Sequence, residues 1–223
     1  MWPELLLTGV LAGQTVAQAG SLRFLALGDS YTIGEGVAEA QRWPRQLAQR
    51  LRADGVDLAD PQIIATTGWT TDELSAGMDA ATLVPPYDFV TLSIGVNNQY
   101  RGRDLDNYRR EFAALLQRAI ALAGLRPQRV LVVSIPDWGV TAFGQGSGRD
   151  PAVIARELDQ FNAINREEAR RANVAWADVC AISRRAGATP AQLAEDGLHP
   201  SGAQYTAWLS QILPPARIAL SSP

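Results

Sequence analysis

At 223 residues, with 47% hydrophobic and 19% charged side chains, the chain is long enough for one substantial core and suits one large domain better than two small ones. A formal net charge of -3 without a long Lys/Arg run excludes the field that gathers nucleic acid or anionic lipid. The single cysteine, Cys180, has no partner for a disulfide within the chain and lies too far from the single histidine, His199, for the usual zinc ligand sets, so no metal is expected. No GxxxxGK[ST] phosphate loop is present and Gly34-Glu35-Gly36 lacks the third glycine of a dinucleotide fingerprint, so no cofactor is expected either.

In chain order, Leu5 to Ala19 is apolar and ends Val16-Ala17-Gln18-Ala19, like an export signal with a small-residue cleavage site. Against that reading, Glu4 stands where a basic residue belongs and Gly9, Gly13 and Gln14 interrupt the run. A periplasmic or secreted destination and a cytoplasmic one both stay open. The stretch is too short and broken for a stable transmembrane anchor, and residues 1–20 are set apart as a signal or N-terminal extension.

Short apolar runs then follow at Leu22 to Leu27, Val56 to Ile64, Asp88 to Ile94, Arg129 to Ile135 and Val174 to Ala177. Unbroken apolar runs of this length predict strands buried on both faces, hence five parallel strands. Helical periodicity lies between them: Trp43-Pro44 opens a helix carrying Leu47 and Leu51, a second is striped by Tyr108, Phe112, Leu115, Leu116, Ala119 and Ile120, and a third holds Phe161, Ile164 and Glu168. A last helix is expected over Ser201 to Leu213, with Tyr205, Trp208, Leu209 and Ile212 facing inward. The Arg-rich pieces Arg101 to Arg110 and Arg166 to Arg171 read as solvated helix faces, and the glycine-rich run Phe143 to Gly148 as a mobile loop near one rim. The alternation predicts an α/β fold, an open sheet with helices on both faces, in one domain over 21–215 followed by a tail over 216–223.

In such a sheet ligands are handled at the carboxyl ends of the strands. Ser30 follows the first strand, Gly68 the second and Asn97 the third, while His199 precedes the final helix. A serine hydroxyl is a weak nucleophile without a base, and His199 is the only imidazole on offer. Asp196, three residues earlier, is placed to hold one ring nitrogen so that the other can take the serine proton. The negative charge formed on attack at an ester carbonyl needs donors, and the Ser30 N–H, the Gly68 N–H and the Asn97 side-chain amide are the natural set. Asn98 is assigned to loop structure or to a substrate contact. From the residues alone, an alternative stays open in which Ser30 caps a helix and His199 meets a core hydrogen bond.

The blocks Gly28-Asp29-Ser30-Tyr31-Thr32, Thr67-Gly68-Trp69-Thr70-Thr71, Gly95-Val96-Asn97-Asn98 and Asp196-Gly197-Leu198-His199-Pro200 occur in this order. Together they resemble the motifs of the SGNH hydrolase family, also called GDSL esterases and lipases, over residues 25 to 213. The resemblance implies a three-layer, flavodoxin-like sandwich with Ser30 as nucleophile, His199 as base, Asp196 as its orienter, and Ser30, Gly68 and Asn97 as the oxyanion hole. The family's third block usually reads GxND, and here Asn98 replaces the acid, which alters the hydrogen bonding open to that loop. No serine sits in G-x-S-x-G, which argues against the α/β-hydrolase fold.

Tyr31, Ile33, Trp69, Val96, Tyr100, Trp138, Phe143 and Leu198 are the candidates for an apolar slot suited to a short or medium acyl chain. Among them and their neighbours, Tyr31, Trp69, Val96, Asn98 and Leu198 are expected to touch substrate. The expected partner is a small-molecule or lipid ester. Carbohydrate acetyl esters, thioesters and lysophospholipids are alternatives, as is a non-catalytic carbohydrate- or lipid-binding protein; oligomeric state is open.

Overall fold

The computed structural model describes residues 20–221; the export-signal reading of the preceding segment lies outside the described residues. Five strands, β1 (Phe24–Gly28), β2 (Gln62–Ala65), β3 (Phe89–Ser93), β4 (Val130–Val133) and β5 (Ala175–Ala177), form one sheet in the order β2-β1-β3-β4-β5. Every pairing is parallel. This is the flavodoxin-like order, with its topological switch between β1 and β3. β1, β3 and β4 are buried along their whole length, which is why their sequences show no alternation. The expected second strand is too long: only Gln62–Ala65 pairs as a strand, and Leu58 makes an isolated bridge to Leu22.

Nine α-helices surround the sheet among the described residues: α1 (Ser30–Ile33), α2 (Trp43–Ala53), α3 (Thr71–Ala80), α4 (Val96–Tyr100), α5 (Leu105–Leu122), α6 (Ala142–Gly146), α7 (Pro151–Arg171), α8 (Cys180–Ala186) and α9 (Gly202–Ser221). Right-handed crossovers from β1 outward to β2, and then back through β3, β4 and β5, put α2 on one face and α3, α5 and α7 on the other. The packing follows: α2 lies against α9, and α5 lies against both α3 and α7. The stripe Tyr108, Phe112, Leu115, Leu116, Ala119 and Ile120 is the buried face of α5.

Two further segments differ from the sequence reading. The expected tail at 216–223 is instead helical to Ser221, because Pro214 and Pro215 sit toward the outer side while Ile212, Ala216, Ala219 and Leu220 continue the buried stripe. The glycine-rich run is a loop only in part: Phe143 to Gly146 belongs to the short helix α6, capped by the Thr141 hydroxyl accepting the Gly144 N–H at 3.1 Å, and Ser147 and Gly148 lie beyond its end.

Candidate active site

The register of three adjacent strands sets the site. Ala65, Gly28 and Ser93 lie abreast at the carboxyl ends of β2, β1 and β3. The chain leaving those ends delivers Gly68, Ser30 and Asn97 to one rim of the sheet.

Ser30 opens α1, and Asp29 caps it by accepting the Tyr31 N–H at 3.1 Å. Asp29 is 2% exposed, and burial pushes its carboxyl up to about 7 against the N–H groups of Tyr31 and Gly95. Tyr31 turns inward, its ring 5.4 Å from that of His199 and 6.3 Å from that of Trp208 on α9. The final helix thus supports the imidazole through an aromatic spacer.

His199 ends a closed turn in which the Ala194 N–H donates to the His199 carbonyl at 2.8 Å and the Gly197 N–H to the Ala194 carbonyl at 3.0 Å. Asp196 Oδ1 accepts the N–H groups of Leu198 and His199, each at 2.9 Å, and Oδ2 meets His199 Nδ1 at 2.6 Å. Burial works to raise the Asp196 carboxyl, but the bonds from the His199 ring and from these two N–H groups outweigh it and hold the group below the ordinary carboxylate value. An ionised carboxylate only accepts, so the proton of the neutral ring lies on Nδ1 and Nε2 keeps its lone pair.

Gly68 has φ of +87°, a conformation that costs other residues strain and that sets the direction of the peptides around it. Asn97, on α4, donates from Nδ2 to the Trp69 carbonyl at 2.9 Å, which fixes the amide and leaves its second N–H unspent in that bond. Arg101, at the end of the same helix, donates from Nη2 to the Gly68 carbonyl at 2.6 Å. α4 therefore grips the loop between β2 and α3 at two successive carbonyls.

A cavity of about 230 Å³ lies over these groups, walled by Ser30, Tyr31, Thr67, Gly68, Val96, Asn97, Tyr100, Trp138, Phe143, Leu198 and His199. Most of its surface is apolar side chain, and Ser30, Asn97 and His199 are among the polar groups that break it. Tyr100 meets Trp138 edge to face at 5.4 Å, and Phe143 is 6.1 Å from Trp138. The Phe143 N–H donates to the Gly197 carbonyl at 3.0 Å, so α6 is docked on the turn that carries His199.

Of the residues expected to touch substrate, Tyr31, Val96 and Leu198 wall the cavity, while Trp69 and Asn98 stand off it, Asn98 in the structural role that is the other expectation for it. The Trp69 ring lies flush against Gly77 of α3, where an added Cβ would come within 2.1 Å of it. Asn98 is fully buried, accepting the Thr71 N–H at 3.1 Å and donating to the Thr71 hydroxyl at 2.7 Å. With no acid at this position, Asn98 still ties α4 to α3, through an amide that both accepts and donates. Ile33 likewise stands off the wall. Thr67 and Arg101 are not singled out by the sequence reading; Arg101 falls four residues after Asn97 on one short helix, a spacing that does signal a shared face. Cys180 is buried, with its thiol pushed up to about 12 by burial, and is not part of the wall.

Fold and rim together define a flavodoxin-like α/β protein with a serine hydroxyl, an imidazole and a side-chain amide around one apolar cavity at the switch point. The GDSL-like lipase/acylhydrolase family model matches residues 26–207, and the chain belongs to that family of ester hydrolases. No curated protein sequence gives a match. Among solved structures, TesA is similar with a TM-score of 0.70 at 21% identity, over 88% of this chain and 99% of that one. A single-site variant of Axe2, an acetyl xylan esterase from Geobacillus stearothermophilus, is similar with a TM-score of 0.66 at 22% identity, over 88% of this chain and 95% of that one. The psychrotrophic esterase EstA from Pseudoalteromonas sp. is similar with a TM-score of 0.68 at 17% identity, over 90% of this chain and 99% of that one. At these identities the likeness speaks to the fold, a five-stranded parallel sheet with helices around it. No helix among the described residues is long and apolar enough to cross a membrane.

Proposed function

We propose that the protein hydrolyses carboxylic esters of short to medium acyl chains through a Ser30-His199-Asp196 triad and an acyl-enzyme. The observation that carries this reading is the 2.6 Å contact between Asp196 Oδ2 and His199 Nδ1 beside a cavity that Ser30, Gly68 and Asn97 also wall. His199 Nε2 takes the hydroxyl proton as Ser30 Oγ bonds to the carbonyl carbon. The oxyanion is met by the N–H groups of Ser30 and Gly68 and by Asn97 Nδ2. As the C–O bond to the alcohol breaks, His199 returns the proton to the departing oxygen. Water then adds to the acyl carbon with the same base, and the acid leaves with Ser30 restored. The apolar walls and the cavity of about 230 Å³ favour a small acyl group. The structural neighbour Axe2, an acetyl xylan esterase, is in keeping with a short acyl chain.

Initial rates on p-nitrophenyl acetate, butyrate, octanoate and palmitate, with Ser30→Ala as blank, test this reading. The expected outcome is Ser30-dependent turnover, greatest on the shorter esters. Rates equal to the blank on all four would overturn it.

A further inference from the structure

Tyr100 stands between the catalytic cavity and a second hollow of about 470 Å³, on whose wall it also lies. The chemistry of that second wall is different: Arg101, Arg149, Glu157 and Gln160 present guanidinium, carboxylate and amide groups. We propose that this trough binds the alcohol half of the ester, and that the alcohol is uncharged and rich in hydroxyls, a sugar or short oligosaccharide. This rests on the ester-hydrolase reading and adds the substrate class.

Size is the first argument. Small-ligand sites usually occupy about 300–1,000 Å³. The catalytic cavity alone falls below that range and is lined for an acyl chain, so the other half of a larger ester must lie elsewhere. The trough is the neighbouring space, reached past Tyr100, a residue 52% exposed.

Charge is the second. Arg149 Nη2 meets both carboxylate oxygens of Glu157 at 2.8 Å, Arg101 pairs with Glu73 at 3.2 Å, and Arg103 pairs with Asp72 at 2.5 Å. The arginines are thus compensated, and an anionic alcohol would meet the carboxylates of Glu157 and Asp104 on the wall itself. A hydroxyl both donates and accepts, so it can bond to a guanidinium and to a carboxylate of the same pair. A long hydrocarbon laid over these groups would strip their water and return no hydrogen bonds. Gln99 sets the array in place: its Nε2 donates to Glu157 Oε2 at 2.5 Å and its Oε1 accepts the Trp138 indole N–H at 2.8 Å. The polar trough and the aromatic wall of the acyl cavity are therefore built on one side chain.

The test compares kcat/KM for a monoacetylated methyl glucoside with that for cyclohexylmethyl acetate, a size-matched ester without the hydroxyls. Gln160 lies exposed on α7, so Gln160→Trp fills the trough from a helix surface. The wild type is expected to prefer the sugar ester by about tenfold or more, and Gln160→Trp, with an unchanged circular dichroism spectrum, to lose most of that ratio. Equal kcat/KM on the two esters, or a preference that Gln160→Trp leaves intact, would overturn the proposal. Calorimetric titration of methyl glucoside and cellobiose into Ser30→Ala, and into the same protein carrying Gln160→Trp, separates the two readings. Binding lost with Gln160→Trp supports the trough even if Ser30-dependent turnover fails, and absence of binding counts against the trough even if p-nitrophenyl acetate is hydrolysed.

Discussion

Arg101 Nη2 donates to the Gly68 carbonyl at 2.6 Å, so a guanidinium at the end of α4 fixes the peptide that follows the glycine proposed to stabilise the oxyanion. Asn97, one turn earlier on the same helix, holds the next carbonyl, that of Trp69. The two proposed donors from outside α1 are thereby set relative to each other by one short helix. Arg101 is a positioning residue in this arrangement, and Arg101→Ala should lower kcat by about tenfold, worth about 1.4 kcal/mol of barrier, with little change in KM on p-nitrophenyl acetate. Arg101→Lys, which keeps a donor on a flexible stem, should recover part of the loss. A rise in KM at constant kcat would place Arg101 in substrate binding instead.

Asn97→Ala removes a donor that is already aimed by its bond to Trp69, and about 2.7–4 kcal/mol of transition-state stabilisation should go with it. Steady-state kinetics should show this in kcat. Asp196→Asn should slow turnover by about 10²- to 10⁴-fold, because a neutral amide can present its NH₂ to His199 Nδ1 and favour the wrong tautomer. Near-normal rates in Asp196→Asn would mean that the turn alone orients the ring.

Asp29 predicts a pH dependence of stability. Its carboxyl sits near 7 in the folded protein through burial, against 3.8 ordinarily. The folded state therefore holds a proton that the unfolded state gives up, so the contribution is fully present below about pH 4 and is lost as pH rises toward 7. At about 1.4 kcal/mol per unit the loss is bounded at about 4 kcal/mol. Urea melts of wild type and Asp29→Asn between pH 4 and 8 should show wild type losing stability relative to the variant as pH rises. Asp196, held below its ordinary value, acts in the opposite sense and only in more acidic solution. Parallel curves for the two proteins across the window would reject the assignment to Asp29.

Gly77 carries a prediction from packing. A Cβ there would meet the Trp69 ring at 2.1 Å, so Gly77→Ala must push the indole away from α3. Overpacking of this kind costs about 1–3 kcal/mol. Because Trp69 also supplies the carbonyl that holds Asn97, kcat should fall along with the urea midpoint. A loss of stability with an unchanged kcat would show that the indole moves without its backbone.

Much of this arrangement is legible in the sequence, for physical reasons that also mark the limit. β1, β3 and β4 announce themselves as unbroken apolar runs because both faces are covered, and Tyr108 through Ile120 reads as a helix because only one stripe is buried. Asp196 and His199 lie three residues apart, so their contact needs no knowledge of the fold. Trp69 and Asn98 stand off the cavity wall because adjacent residues on a loop or helix point apart: their neighbours Gly68 and Asn97 face the cavity while they face α3. Arg101 is hidden by its charge, which suggests a solvated face until the backbone carbonyl it serves is known. Pro214-Pro215 suggests a helix end, yet the buried stripe through Ala216 and Leu220 carries α9 on.

Phe143 tests the acyl side of the cavity. It is 39% exposed at the rim, packed toward Trp138, and held by its own N–H on the Gly197 carbonyl. Phe143→Ala keeps that backbone bond and removes only the ring, so the turn carrying His199 should stay in place while the cavity opens outward. Each methylene that finds an apolar wall is worth about 0.8 kcal/mol, and the wild-type cavity is too small to reward many of them. The ratio of kcat/KM on p-nitrophenyl octanoate to that on the acetate should therefore rise several-fold in Phe143→Ala. A ratio that falls would mean that the ring is itself a surface on which the longer chain lies, and that the acyl group leaves the cavity past Phe143 rather than ending beneath it.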